Sequence, residues 1–440
     1  MGFPKVIVFL LFSMFFSCFT AFPLLAEENT EKESETIVLL RAEEWEFGAG
    51  GQVRLRGDFA LNQNFTNFAF TPDHNEAQFL ERTRLQASIE NRSLNLGVFV
   101  QGQWFGRWGG TDNRSDFDLY QGYIEWGKVL GLPVSLKAGR QEFLYGSAFL
   151  IGTNNFYNGM SWDGFKTSIR PLNELVVDIL GAKMAKLNPE DPGIYLTGLY
   201  TTYKICKEGS LEGYLFYNKG GFPVSQRGFV LTDTGQKWYT LGARLAGKIG
   251  GFNYELEPQF QWGNVENAIG DEKDLVRAYG GHVDLGYTFK LPWEPRIFGA
   301  YGYGSGNNNP SNGWYREFHG SLFNDSYIFG DTNVIADMSG VTVNNVRASG
   351  LQVWVGGVEV KPLAKLGVTV RVHRFLANSV PSGFSKDIGT EVDWEISYKL
   401  TKRISFLVGL DAFLTGRFFK QASGSGKNID YAYIQGQVEF

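Results

Sequence analysis

Four arginines stand in two short alternating runs, Arg54 and Arg56 within residues 52–61 and Arg82 and Arg84 within residues 82–90. A planar guanidinium holds a carboxylate through two parallel hydrogen bonds, so arginines repeated on one face could form a ladder for an anion. The same four side chains could instead be neutralised in place by Asp58 and Glu90, and the sequence leaves both roles open. Lys137, Arg140, Arg170, Arg244 and Arg371 are further basic candidates, with Glu125 an acidic one. Arg140 shares its parity with Leu136 and Ala138, so strict alternation turns it away from the other charges unless a bulge intervenes.

No catalytic constellation accompanies them. His74, His282, His319 and His373 are scattered without metal-ligand spacing, and no Gly-x-Ser-x-Gly elbow is present. The reading assigns no catalytic residue, no metal and no cofactor; a Ser-His lipase on a barrel is the enzymatic alternative. Arg56-Gly57-Asp58 lies inside a strand pattern, which argues against an adhesion motif, and the glycines at 302, 304 and 306 lack a strand-helix setting for a nucleotide. The net charge of -5, with no dense basic run, argues against nucleic acid as a partner.

The elements that carry these charges alternate with period two. Val53, Leu55, Phe59 and Leu61 share one face and Arg54, Arg56 and Asp58 the other; Thr83, Leu85, Ala87 and Ile89 likewise oppose Arg82, Arg84, Gln86, Ser88 and Glu90. Phe252, Tyr254, Leu256, Phe260 and Trp262 alternate with Asn253, Glu255, Glu257, Gln259 and Gln261, and Val392, Trp394 and Ile396 with Asp393, Glu395 and Ser397. About eighteen such segments run from residues 48–61 to 429–440. Their connections alternate between long (62–78, 108–115, 143–161, 184–193, 218–237, 264–273, 305–349, 377–389, 416–428) and short, such as Arg92-Ser93, Gly250 and Lys402-Arg403. Sorted loops, segments long enough to span an apolar slab, and aromatics at 15% of the chain fit a transmembrane antiparallel up-and-down β-barrel of about eighteen strands. Each arginine facing lipid would cost about 2–4 kcal/mol near the midplane, so the charged face must point inward.

Lys5 followed by apolar residues 6–22 and Ala26 reads as a signal peptide over 1–26; Leu24 is a poor residue at the cleavage site, which keeps a retained anchor as an alternative, and a lipoprotein through Cys18 fits less well. Residues 27–46 read as an acidic periplasmic leader and 47–440 as the barrel. With the peptide removed only Cys206 remains, which excludes an internal disulfide. Beyond the leader no stretch of about 18 uninterrupted apolar residues occurs, so the strands must do the spanning. The last strand sets Ile434, Val438 and Phe440 against Gln435, Gln437 and Glu439, which resembles the terminal signal read by outer-membrane assembly machinery.

Asp118-Leu119-Tyr120-Gln121-Gly122-Tyr123-Ile124-Glu125, then Leu136 through Gly146 with Gly139-Arg140-Gln141-Glu142 at its centre, and Asn158 through Phe165 with Trp162-Asp163-Gly164, resemble the alginate export family of outer-membrane porins. Arg54-Leu55-Arg56 and Arg82-Thr83-Arg84 are similar too. The resemblance covers most of residues 48–440. It implies a monomeric eighteen-stranded barrel in the bacterial outer membrane, among lipid and lipopolysaccharide, conducting an acidic polysaccharide such as alginate or smaller polar, anionic solutes. It also supports Arg140 as a pore residue. Two departures stand out: the inferred lumen is mixed in sign, and every presumed periplasmic turn is short, where the family's exporter gates with a long one. The acidic leader could substitute. A general diffusion porin with a mixed-charge constriction and a structural or adhesive barrel are the alternative readings. The 305–349 connection, carrying Asn307, Asn308, Asn309, Asp325, Asp331 and Asp337, could enter the pore as a constriction, lie on the surface, or hold calcium.

Overall fold

The computed structural model describes residues 37–110, 113–185, 193–220, 237–266, 273–307, 313–319 and 326–440. The signal peptide, most of the acidic leader, and Asn308, Asn309 and Asp325 lie outside the described residues.

Alternating sequence becomes strand, and the strands are β1 (Trp45–Asn64), β2 (Ala69–Asn91), β3 (Leu96–Trp108), β4 (Arg114–Trp126), β5 (Val134–Gln141) and β6 (Trp162–Leu172). They continue as β7 (Leu175–Met184), β8 (Tyr195–Cys206), β9 (Gly209–Lys219), β10 (Lys237–Ile249), β11 (Phe252–Glu266) and β12 (Lys273–Thr288). The ring is completed by β13 (Arg296–Gly304), β14 (Val346–Leu363), β15 (Leu366–Ser379), β16 (Asp387–Lys399), β17 (Ile404–Thr415) and β18 (Ile429–Glu439). Each pairs antiparallel with the next, and β1 pairs with β18 from Gln52 opposite Glu439 to Leu61 opposite Asp430. The result is a closed 18-strand antiparallel barrel with almost no helix. Closure removes the unpaired edges that lipid could not satisfy. The seam ends at Gly51, whose N–H and C=O bond Phe440 at 2.7 and 2.9 Å; a Cβ there would come within 2.7 Å of the Phe440 ring.

The outer face is apolar. Leu55, Leu85, Leu199, Leu241, Leu256, Leu285, Trp354 and Trp394 are exposed on the barrel exterior, where lipid replaces water as the solvent. At the end bearing the longer connections Tyr217, Tyr239 and Trp262 stand opposite one another on β9, β10 and β11, with ring centroids 4.9 and 5.3 Å apart. Such a row suits the amphipathic membrane interface.

Two expectations shift. The first connection is not a long loop: β1 and β2 run on past the slab to a turn at 65–68. Residues 37–42 of the leader form a short strand that folds back on the start of β1. Among the described residues the longer connections are 142–161, the described parts of 305–345, and 416–428. The last of these carries helix α1 (Arg417–Ser423), whose Phe418 and Phe419 are fully buried among Phe70, Phe384 and Phe413.

Candidate functional site in the lumen

Two connections cross the lumen and meet. The segment 142–161 leaves between β5 and β6, yet Asn155 and Tyr157 reach Arg54 on β1 and Arg82 on β2, while Ser147 and Phe149 reach His282 on β12. Those strands lie in different sectors of the ring, so the segment spans the interior. The segment 305–345 leaves between β13 and β14; its Tyr327 bonds Asp284 on β12, Asp331 bonds Arg371 on β15 and Tyr433 on β18, and Thr332 bonds Glu391 on β16. The two touch where the Phe149 and Phe329 rings lie 6.1 Å apart, and where Asn333 donates to the Tyr157 hydroxyl at 3.0 Å.

The local sequence explains the inward folding. Phe149, Leu150, Ile151, Phe156, Met160 and Trp162 form an apolar run unsuited to a solvated loop, as do Ile328, Phe329, Val334, Ile335 and Met338, and nearly all of these are fully buried. The sequence marks 143–161 only as a connection; its apolar content was the signal that could have set it apart.

The arginine row faces these segments. Arg54 stands directly opposite Arg82 in the β1–β2 register, a like-charge pairing that is unfavourable by itself. Backbone carbonyls resolve it. Arg54 donates to Asn155 O at 2.6 Å and to Tyr157 O; Arg82 donates to the same two carbonyls at 3.1 Å each, to Asn155 Oδ1 at 2.9 Å and to Gln52 at 2.6 Å. Arg56 pairs with Asp58 at 2.6 Å, donates to Tyr431 at 2.8 Å, and is sandwiched between the Phe156 and Tyr433 rings at 3.7 and 4.0 Å. Arg84 bonds Gln103 at 2.7 Å, lies 3.8 Å over the Tyr120 ring and reaches Glu142 at 3.9 Å. Glu90, the other neutralising candidate, is exposed at the turn end of β2.

Charge within this cluster does not balance. Four guanidinium groups are met by two carboxylates, Asp58 and Glu142, leaving two positive charges in excess; among the described residues neither Arg54 nor Arg82 has a carboxylate at ion-pair distance.

The other sequence candidates are dispersed. Arg244 bridges Glu212 at 2.8 Å and Glu255 at 2.9 Å. Arg371 pairs with Asp331 at 3.0 Å and approaches Glu395 and Asp393 at 3.6 and 3.7 Å. Lys137 lies 3.7 Å over the Tyr123 ring, opposite Glu125 in register. Arg170 is exposed at the short-turn end of β6. Arg140 shares the register face of exposed Phe165 and pairs with Asp163 at 2.6 Å and Asp118 at 3.4 Å, so it is placed with the outward side chains and not with the arginine row.

An acidic sector adjoins the basic one. Asp393 on β16 stands opposite Asp411 on β17, and both are buried with Asp331 and Glu391 nearby. Burial, reinforced by the Asp393 charge, pushes the Asp331 carboxyl above its ordinary range despite Arg371. Burial likewise raises the Tyr157 hydroxyl, which keeps it neutral. Tyr433 joins the two sectors, its ring on Arg56 and its hydroxyl donating to Asp331 at 3.0 Å.

Register also assembles a group that residue spacing concealed. Glu257 on β11 faces His282 on β12, and Glu255 faces Asp284. One ligand atom from each of Glu255, Glu257 and His282 lies within 4.8 Å of the others.

With the closed barrel and its lumen in view, sequence comparison decides the family: the alginate export model matches residues 46–432. The chain belongs to the alginate export family. It is a bacterial outer-membrane barrel of porin type. Solved structures with the same fold include OccK2 (OpdF) of Pseudomonas aeruginosa, at 11% identity and TM-score 0.60 over 89% of this chain and 97% of that one. The same protein in complex with glucuronate matches at 11% identity and TM-score 0.59, over 90% and 96%. A BenF-like porin from Pseudomonas fluorescens Pf-5 matches at 13% identity and TM-score 0.57, over 89% and 98%. No curated protein matches the sequence.

Proposed function

We propose that this outer-membrane channel conducts anionic, carboxylate-bearing solutes, with uronic sugars the leading class and export of an acidic polysaccharide such as alginate its polymeric form. The observation that carries the reading is the excess of two positive charges at Arg54 and Arg82, whose guanidinium groups are held, among the described residues, by neutral oxygens. A carboxylate adds to a guanidinium bond the attraction of opposite charges and a bidentate fit, neither of which a single neutral carbonyl offers. An entering carboxylate therefore competes with Asn155 and Tyr157 for the two arginines and loosens the segment that crosses the lumen. The family name and the glucuronate bound by the OccK2 relative agree with this reading. The proposal includes a single barrel as the conducting unit, surrounded by lipid and lipopolysaccharide, with the Phe440-ended strand as the signal for assembly.

The acidic sector at Asp331, Asp393 and Asp411 favours a second reading, a general porin that filters small solutes across adjoining acidic and basic walls. Single-channel reversal potentials under a salt gradient separate the two. Anion preference that is lost in Arg54→Ala with Arg82→Ala, together with current block by oligouronates, is the expected result. A channel without ion preference or block supports the general porin, and the absence of conductance overturns the channel reading.

A further inference from the structure

The strongest unassigned feature is the group at Glu255, Glu257 and His282, on the wall sector under the first leg of the 142–161 segment. Nδ1 of His282 is engaged by Asp284, so Nε2 is the nitrogen that points at the two glutamates. It lies 3.3 Å from Glu257 Oε2, 3.5 Å from Glu255 Oε1 and 3.5 Å from Ser147 Oγ. These separations are longer than ordinary N–H···O bonds. They match the three edges that meet at one corner of a coordination tetrahedron, since metal bonds of about 2.1 Å place neighbouring ligand atoms about 3.4 Å apart, and the carboxylate oxygens lie within 4.8 Å of each other.

The surroundings are those of a supported metal site. A carboxylate on the second ring nitrogen fixes the tautomer and orients the imidazole. Arg244 bonds Glu255 through two nitrogens at 2.9 and 3.0 Å, and Gln259 donates to Glu257 at 3.0 Å. Gln259 Oε1, beside Glu257, is buried without any hydrogen-bond partner. Charge points the same way. Glu212, Glu255, Glu257 and Asp284 carry four negative charges against Arg244 and at most one on His282, leaving two uncompensated in a buried cluster.

We propose that Nε2 of His282 and one carboxylate oxygen from each of Glu255 and Glu257 bind a divalent transition-metal cation of the Zn2+ type, with Ser147 Oγ or water in the fourth position. Two carboxylates and an imidazole suit a borderline cation better than calcium, which prefers six or more oxygens. The ion rivets Ser147 to the wall and so fixes the segment that crosses the lumen. This proposal is independent of the solute the channel carries.

The test is Zn2+ binding to the purified, folded barrel after chelator treatment, measured by competition with a chromophoric chelator and by metal analysis. The wild type should bind one equivalent, and His282→Ala and Glu257→Gln should each weaken binding by about tenfold or more. Asp284→Asn keeps the ligands and should weaken it by about 10–100-fold, which serves as the readout if His282→Ala fails to fold. Heat-modifiable electrophoretic mobility checks that each variant remains a barrel. Binding by the wild type no stronger than by His282→Ala, or unchanged affinity in Glu257→Gln and Asp284→Asn, overturns the site and leaves His282 as an imidazolium paired with Glu257 and Asp284.

Discussion

The seat of the second crossing segment can be weakened at one hydroxyl. Thr332 donates its N–H to Glu391 Oε1 and its Oγ1 hydroxyl to Oε2, both at 2.8 Å, and Glu391 is fully buried. Thr332→Val keeps the shape and removes only the second of these donors. A hydrogen bond to a carboxyl contributes about 0.5–1.5 kcal/mol when the group is neutral and about 1.5–3 kcal/mol when it is charged, which is about twofold to a hundredfold in the equilibrium between seated and released segment. Amide hydrogen exchange over residues 328–338 reads that equilibrium directly, because those amides exchange through local release while the strands exchange through global opening. The expected result is acceleration of that order in 328–338, with strand amides unchanged and more frequent openings in single-channel records. Gly330→Ala should act in the same direction and more strongly: φ there is +77°, and a Cβ would collide with the Glu391 carboxyl. Exchange in Thr332→Val indistinguishable from wild type would refute the argument that this contact seats the segment.

Two other substitutions probe the arginines from opposite directions. Asp58→Ala leaves Arg56, itself 1% exposed, without its carboxylate, and should cost about 3–5 kcal/mol in urea unfolding of the folded barrel. Arg140→Ala breaks pairs whose carboxylates are half exposed, so unfolding should change by no more than about 1 kcal/mol and the reversal potential should stay at the wild-type value; a selectivity change would place Arg140 in the conduction path.

Period-two patterning carried most of the architecture. Runs such as 52–61, 82–90 and 252–262 alternate cleanly because a spanning strand has one lipid face and one polar face, and the structure places Leu55, Leu85 and Leu256 outside with Arg54, Arg84 and Glu257 within. Strand ends were less legible. Residues 62–64 and 69–78 extend the first hairpin beyond the slab, where neither face is apolar enough to mark them as strand. Parity also placed Arg140 with Leu136 and Ala138, and its outward pairing with Asp163 and Asp118 follows that parity; the family resemblance had pointed it toward the pore.

The sequence by itself determined the barrel, its strand number, and an apolar outer face opposed to a polar face that carries most of the charges, because each of these follows from alternation along one strand. Only the tertiary structure decided which of those charges meet. The Asn155 carbonyl reaches Arg54 and Arg82 from positions 101 and 73 residues away in the chain. His282 finds Glu257 only through the β11–β12 register. Such contacts depend on how strands are staggered and how far apolar loops fall into the lumen, and neither quantity is written in the spacing of residues along a single strand.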